Sequence, residues 1–282
     1  MQFCMKRRVG ICLWLCCFPA ALRAQESAIW AGDMLGDEPA VLRSGDGGGQ
    51  IRNLPAAVFP TQAPLPRMAP EFALQVFEGH AAMQWAGLGG YSATTLVRAE
   101  LPSSAQFGEY ELQKRYSAPR TLVFKALRFT GDTFVKSNVI ARLLQQEVDH
   151  VQKDDPAVTA ISSANYKFSY KGTAEVSGRV VHVFHIKPRQ KRPGLFKGKI
   201  YLDAYTGTLA RAEGKLVKSP SFFVKKIEFV QDYADIQSFT FPVHTHSEAQ
   251  TRVVGRAIVD IYQSDYQLVS ATTQAENLQP GN

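Results

Sequence analysis

The second half of the chain, from residue 166 to residue 266, shows no helical periodicity and has the pattern of a succession of strands. Seven runs rich in Val, Ile, Phe, Tyr and Thr follow one another with only short turns between them. Short connectors cannot carry a chain across a sheet to a parallel neighbour, so the sequence predicts an antiparallel meander. The predicted strands are 166–171, 178–187, 197–203, 207–217, 222–233, 239–250 and 253–266.

Apolar residues alternate along these strands, which predicts that one face of the sheet is buried. In the second of them, Phe184 and Ile186 fall on one face, and His185 and Lys187 fall on the other. The strand 239–250 repeats the pattern, with phenylalanines on one face and histidines on the other. One face is therefore expected to be strongly apolar and the opposite face mixed.

Three more strands and two helices are predicted before this meander. The strands are Tyr91–Leu101, Phe107–Tyr116 and Thr121–Thr130. One helix is expected to start at Pro70 and to carry a loose apolar stripe of Phe72, Val76, Phe77 and Met83 as far as Trp85. The other helix is 138–152, with Ser137 as its N-cap. Arg142 in that helix is expected to point outward or to flank the apolar face, because Leu143 and Leu144 already occupy that face. The alternative is an inward Arg142 that holds the helix closed by a hydrogen bond to a backbone carbonyl or a carboxylate.

About ten strands and two helices predict an α+β fold. We expect an open, strongly curved antiparallel β-sheet, a half-barrel, with helices packed on its concave apolar face. A closed barrel is the alternative, because closure also buries one face of a long meander. With 45% hydrophobic and 20% charged residues, the composition excludes a disordered chain and a polytopic membrane protein.

The N-terminus has the layout of a secretory signal peptide. Three basic residues, 6–8, precede the apolar run 9–18, and small residues follow up to Ala24, after which we expect cleavage. An uncleaved anchor is the alternative, but a run of about ten residues is too short to span a bilayer about 30 Å thick. All four cysteines lie in this segment, so cleavage would leave no disulfide, zinc-thiolate site or cysteine nucleophile. The sequence therefore predicts an exported protein.

Four regions follow from this pattern. Residues 1–24 are the signal peptide, 25–70 a Pro/Gly-rich flexible arm, 71–268 the half-barrel domain and 269–282 a C-terminal tail. Between residues 31 and 70 there are six glycines and six prolines, which leaves no room for a periodic element. The arm is either a passive linker or a segment that binds a partner. Once the basic signal peptide is removed, the formal charge of +7 becomes only mildly basic, so nucleic acid is not an expected partner.

A set of short motifs runs through the predicted meander. The motifs are Asn165-Tyr166-x-Phe168, Gly178-Arg179, Ile186-x-Pro188-Arg189, Gly194-Leu195-Phe196-x-Gly198-Lys199-Ile200-x-Leu202-Asp203, Thr206-Gly207 and Gly214-x-Leu216-Val217-Lys218-Ser219-Pro220-Ser221-Phe222. Together they resemble the outer-membrane lipoprotein-sorting proteins of the LolA-like superfamily. The resemblance covers roughly residues 71–268 and implies a half-barrel with helices over a hydrophobic concave face. It also implies a periplasmic localisation, a role in holding acyl chains or lipid-modified partners, and no catalytic residues.

Motifs of enzymatic chemistry are largely absent from the sequence. There is no G-x-S-x-G, no H-E-x-x-H and no Walker A motif, so we expect no enzyme, no catalytic residue and no cofactor. His244 and His246 stand two apart on a predicted strand, with Glu248 on the same stripe, and could in principle clamp a metal. Two histidines and one carboxylate fall short of a dedicated ligand set, so we predict no metal site and read them as polar residues of the outer face.

A run of six cations without an acid lies between two predicted strands. It could attract the anionic headgroups of a membrane surface, or it could be a solvated hairpin tip that keeps a sheet edge from aggregating. The six residues are Lys187, Arg189, Lys191, Arg192, Lys197 and Lys199.

The apolar face is the predicted ligand-binding site. A lined cavity and a filled core need the same alternation, and the resemblance favours the cavity. The resulting hypothesis is a non-enzymatic periplasmic carrier for lipid or lipid-modified protein, with the two helices as a lid. The alternative is a sensor or scaffold on the same fold that binds a protein partner, which could be a membrane protein. The candidate lining residues are Phe184, Ile186, Ile200, Leu202, Ile227, Phe229, Phe239 and Phe241.

Overall fold

The computed structural model describes residues 66–219, 224–252 and 254–270, and those from Arg67 onward belong to one compact unit. The predicted signal peptide with its four cysteines, the arm as far as residue 65 and the tail from residue 271 lie outside the described residues. Ten strands carry the fold. They are β1 (Leu88–Leu101), β2 (Gln106–Ser117), β3 (Thr121–Gly131), β4 (Tyr166–Val176), β5 (Arg179–Pro188), β6 (Phe196–Asp203), β7 (Leu209–Leu216), β8 (Val224–Ile236), β9 (Phe239–Thr251) and β10 (Arg256–Ser270).

The ten strands form a single antiparallel sheet in the order β3-β2-β1-β10-β9-β8-β7-β6-β5-β4. Strands β4 to β10 follow one another as the predicted meander, and β10 then pairs with β1. The two edge strands, β3 and β4, do not pair with each other, so the sheet is open. The predicted fold class is confirmed, and the closed-barrel alternative is wrong.

In the sequence, one α-helix precedes the first strand and the other α-helical segments lie between β3 and β4. Helix α1 spans Pro70–Gly87 and begins at the predicted proline. Between β3 and β4 come a turn of α-helix, α2 (Thr133–Val135), a π-helical turn (Lys136–Ile140) and helix α3 (Ala141–Lys153). We call residues 133–153 the helical cover. The predicted helix 138–152 is present, but it starts earlier, and Ser137 lies inside the π-helical turn instead of capping it.

The apolar stripe predicted for α1 is partly wrong. Phe77 is buried as expected, whereas Phe72 and Met83 are exposed. The buried side of the helix is formed by Ala73 and Phe77, with Leu74 packed beside them. The buried stripe and the predicted stripe share Phe77. The buried stripe is rotated around the helix axis away from Phe72, because only the side with Ala73 and Phe77 contacts the sheet.

Both helical elements pack on the same face of the sheet, which we call the covered face; the other is the outer face. Phe77 of α1 packs against a cluster that includes Phe184 and Ile200, and Leu143 of α3 packs against one that includes Val97 and Ile261. Strand register places these four strand residues on the same side of the sheet. The predicted apolar face is thus the covered face.

The turn between β6 and β7 contacts helix α1. Asp203 accepts hydrogen bonds from the backbone N–H groups of Tyr205 and Thr206, at 2.9 and 3.1 Å, and Gly207 has a φ of 72°. These are the roles that Asp and Gly usually have in turns. A β-carbon at residue 207 would come within 2.9 Å of Val76, so the helix sits directly against the glycine.

A candidate ligand-binding site beneath the helical cover

Four of the eight predicted lining residues lie in a well-packed cluster under α1. Phe184, Ile186, Ile200 and Leu202 are between 0 and 3% exposed and belong to the same cluster as Phe77. In this structure the part of the covered face under α1 is therefore occupied by protein side chains.

The other four predicted lining residues are distributed over the covered face. Ile227 belongs to the cluster beneath α3, and Phe229 packs at the edge of the cluster under α1. Phe241 lies in a third, aromatic-rich cluster with Tyr91, with Phe239 beside it. The structure thus divides the eight residues among three apolar clusters of one face.

Helix α1 is held by polar contacts just before its first residue, at its middle and near its last turn. His182 donates from Nε2 to the carbonyl oxygen of Met68 at 2.9 Å, just before the helix. The backbone N–H of Ser163 donates to Glu78. Gln84 donates to the carbonyl oxygen of Ser238 at 3.0 Å. These contacts tie α1 to the loop before β4 and to β5 and the β8–β9 hairpin.

The helical cover is attached mainly through its apolar side chains. Val135, Ile140, Leu143 and Leu144 are buried in a cluster with residues of β1, β2, β8, β9 and β10. At its beginning, Asp132 is joined to the start of β2 by a backbone hydrogen bond to the carbonyl oxygen of Phe107 at 2.8 Å. Lys136 lies 5.0 Å from the ring centre of Tyr110 and 4.8 Å from that of Phe129, at cation–π distance.

A buried ion pair joins α3 to strand β2 on the covered face. Nζ of Lys114, on β2, lies 2.5 Å from Oε1 of Glu147, with side chains only 3% and 9% exposed. Lys114 is also 3.3 Å from Oε1 of Gln263. This is the most buried ion pair in the part of the chain that the structure describes. Sequence analysis missed it, although an available signal was the lysine in the alternating series Tyr110, Leu112, Lys114, Tyr116.

Other polar groups beneath the cover lack partners altogether. Both side-chain amide atoms of Gln146, on α3, and the hydroxyl of Thr95, on β1, are buried without a hydrogen bond. A buried polar group without a partner costs about 1–3 kcal/mol. The contact between the cover and the sheet therefore carries a cost that is absent from the cluster under α1, where no described polar side chain is buried without a partner.

A hydrogen-bonded strip continues this polarity into the centre of the sheet. Tyr233 donates to Oε1 of Gln231 at 2.7 Å, and Gln231 donates from Nε2 to Thr245 at 3.0 Å. Gln231 and Thr245 are 3% and 1% exposed. The apolar clusters under α1 and under the cover are thus parts of one face that also contains buried polar side chains.

The two histidines of β9 lie on the outer face, as predicted, and share one acid. Asp260 of β10 lies 3.1 Å from Nε2 of His244 and 2.9 Å from Nδ1 of His246. Glu248 of the same stripe pairs with Arg256 at 2.6 Å and also lies 3.6 Å from Nε2 of His246. Within the described residues, no group of three or more His, Cys, Asp or Glu side chains is arranged to hold a metal ion.

The six predicted membrane-facing cations do not form one surface. Lys187, Lys197 and Lys199 line an open trough on the outer face of β4 to β7. Arg189 turns away and donates to the carbonyl oxygen of Ser163 at 2.8 Å. Lys191 and Arg192 are exposed in the loop between β5 and β6. Among the described helices, none has both the length and the hydropathy of a membrane span.

Elsewhere on the outer face, charges are neutralised by pairs across neighbouring strands. Arg98 pairs with Glu109 at 2.7 Å, and Arg211 with Asp232 at 2.6 Å. Burial acts to raise the pKa of Glu213, but hydrogen bonds from Tyr201 and Lys199 outweigh it, and the net pKa is lowered.

This lowered pKa predicts a loss of stability in acid. A carboxyl group with a lower pKa in the folded chain stabilises the protein above its unfolded pKa, about 4.3, and that contribution disappears as pH falls through the folded pKa. Between pH 6 and pH 3, Glu213→Gln should lose less free energy of unfolding than the parent, measured by urea denaturation. Glu175→Gln, at an exposed carboxylate of β4, is the control and should follow the parent. Parallel curves for Glu213→Gln and the parent would contradict the prediction.

Comparisons with known proteins give a partial family match. Residues 158–267, less than half of the chain, match a family of unknown function, DUF5686. No curated protein matches the chain.

Several solved structures are similar to this chain over most of its length. A DUF1329 family protein from Desulfovibrio piger is 10% identical, covers 74% of this chain and 98% of its own, and has a TM-score of 0.38. A LolA superfamily protein from Nitrosomonas europaea is 9% identical, with coverages of 72% and 94% and a TM-score of 0.35. An outer membrane lipoprotein-sorting protein domain from Vibrio parahaemolyticus is 13% identical, with coverages of 70% and 92% and a TM-score of 0.36. Such low identities and TM-scores give no ground for transferring a function to this chain.

Proposed function

We propose that this chain is a periplasmic, non-enzymatic carrier that holds the acyl chains of a lipid or of a lipid-modified protein on the covered face of its sheet. The observation that carries the proposal is the contact beneath α3. There, a cover with four buried apolar side chains lies on an apolar surface together with a buried ion pair and polar groups that have no partner. A permanent core has no need of such groups, whereas a cover that opens can return them to water.

Opening of the helical cover would expose a surface suited to acyl chains. Val97, Leu112 and Ile261 are at most 5% exposed beneath the cover and would become accessible together. Each CH₂ group moved from water onto such a surface contributes about 0.8 kcal/mol, so one acyl chain could replace the apolar contacts of α3. In this proposal Ile227 is the member of the predicted lining nearest to the opening, and the other seven extend the apolar face on either side.

The moving element of this proposal is the helical cover alone. Helix α1 is held by the contacts of Met68, Glu78 and Gln84, and the cluster beneath it contains no unpaired polar side chain among the described residues. The hypothesis of a lid made of both helices is thus narrowed to residues 133–153.

A scaffold that binds a protein partner is the second candidate function. The tight packing of Phe184, Ile186, Ile200 and Leu202 favours it. Because the core under α1 is filled, that half of the face would stabilise the fold and would not bind a ligand. In this alternative the arm 25–70 would contact the partner.

The test of the carrier is lipid retention and uptake. Protein purified from the periplasm without detergent should show bound lipid by native mass spectrometry, and delipidated protein should bind a fluorescent fatty acid. A chain lacking residues 31–65, which keeps the described domain intact, should take up the same probe with the same affinity. Protein that is free of lipid and does not bind the probe would reject the carrier and leave the scaffold.

A further inference from the structure

An open trough of about 800 Å³ lies on the outer face of β4 to β7, on the side of the sheet opposite the helical cover. Three of its lysines come from the cation run found in the sequence, and three come from strands that the run does not include. His185 lies among them. The six lysines are Lys167, Lys171, Lys187, Lys197, Lys199 and Lys215.

The register of the strands sets like charges directly against each other. Lys167 on β4 is opposite Lys187 on β5, and Lys197 on β6 is opposite Lys215 on β7. Like charges in opposite positions of an antiparallel pair are destabilising. The folded sheet therefore carries an electrostatic cost at this place.

Acidic neighbours neutralise only part of this charge. Lys199 pairs with Glu213 at 3.0 Å and Lys215 with Glu228 at 2.7 Å. In the parts of the chain that the structure describes, the other four lysines of the trough form no ion pair with a carboxylate. This corner of the sheet therefore presents a positive field that its acidic neighbours compensate only in part.

We propose that the trough is a docking surface for the anionic headgroups of a phospholipid membrane. The complementary charge is the first reason. The second is geometry: the lysines without an acid are exposed and spread over three strands, and no buried donor converges on a single point as a caged free anion would require. Flexible lysine stems with strongly hydrated ammonium groups suit a broad layer of phosphates.

Docking through this face would leave the helical cover on the opposite side of the sheet. The inference is independent of the proposed carrier function, because it concerns the outer face and makes no use of the apolar clusters. The two proposals can therefore fail separately. Binding to membranes without lipid uptake would reject only the carrier, and lipid uptake without binding to membranes would reject only the docking surface.

The test is co-sedimentation of the processed protein, starting at residue 25, with vesicles of phosphatidylcholine alone or with a third of phosphatidylglycerol. The parent should bind the anionic vesicles more tightly, and added salt should weaken this binding. The triple variant Lys167→Gln/Lys187→Gln/Lys197→Gln should bind them about a hundredfold more weakly, from about fivefold for each lysine near a charged surface. Its melting temperature should not fall, since two like-charge contacts are removed.

The matched control is Arg120→Gln/Lys125→Gln/Lys225→Gln, which removes the same net charge from exposed positions outside the trough. It should bind like the parent. Equal weakening of both triple variants would show attraction by net charge alone and overturn the proposal, as would equal binding of the parent to both vesicle types. Saturable binding of inorganic phosphate at the trough without vesicle binding would also overturn it, in favour of a soluble anion.

Discussion

Lys114→Met is expected to lower the free energy of unfolding by about 3–5 kcal/mol, because it leaves Glu147 buried without its ionic partner. The double variant Lys114→Met/Glu147→Leu removes both charges and fills their place with apolar groups. Such replacements of a buried pair are often neutral or stabilising, so the double variant should recover the stability of the parent. Urea denaturation of the four members of this cycle measures the coupling between the two side chains.

The same cycle tests whether the ion pair controls the helical cover. If opening of the cover admits an acyl chain, the destabilised Lys114→Met protein should take up a fluorescent fatty acid faster than the parent. The double variant, with an apolar contact in place of the pair, should take it up more slowly. Arg142→Ala is the matched control on α3, since Arg142 is exposed on the helix and lies 3.3 Å from Asn138 of the preceding turn. It should leave uptake and release unchanged.

Equal uptake rates in the parent, Lys114→Met, the double variant and Arg142→Ala would show that the ion pair does not control opening of the helical cover. The ion pair would then act on stability only, and the proposed opening of residues 133–153 would lose its support. Lys114→Met could lose uptake simply because it unfolds at the assay temperature. Uptake is therefore measured well below the melting temperature of that variant.

The sheet could be predicted because its information is local. The period-two alternation of β5 and β9 fixes which side chains are buried, and short turns fix antiparallel pairing, so the ten strands and the covered face follow from sequence alone. The helical cover is harder. Its π-helical turn displaces the start of the helix from Ser137, and helix propensity gives no signal for a turn of that kind.

The functional features depend on register between distant segments, which sequence does not contain. Lys114 and Glu147 are 33 residues apart, and only the packing of α3 on β2 brings them together. Lys167 and Lys215 join the trough from strands outside the recognised cation run, while Arg189, inside the run, turns away. In both cases the residues are present in the sequence, but the long-range register that brings them together cannot be derived from it.

Gly198→Ala should produce the other large effect. Gly198 on β6 is opposite Gly214 on β7, and a β-carbon at position 198 would overlap the carbonyl oxygen of Glu213 and lie 2.6 Å from Cα of Gly214. The obstacle is backbone, which cannot rotate away as a side chain can. Overpacking a well-filled site costs about 1–3 kcal/mol, and we expect a value near the upper limit. Gly79→Ala is the control, since nothing lies within 4 Å of a β-carbon there and alanine should stabilise α1 by up to about 1 kcal/mol.

The position of Gly198 gives this variant a second readout. Lys197 and Lys199 flank it, and Lys215 is next to Gly214, so separating β6 from β7 would move three of the six lysines of the trough. At temperatures where the variant is still folded, its binding to anionic vesicles should therefore weaken, while Gly79→Ala binds like the parent. A Gly198→Ala protein as stable as the parent would mean that the two strands can separate without cost. Unchanged vesicle binding together with a large loss of stability would show that the trough tolerates displacement of its lysines, as a diffuse field would and a fixed arrangement would not.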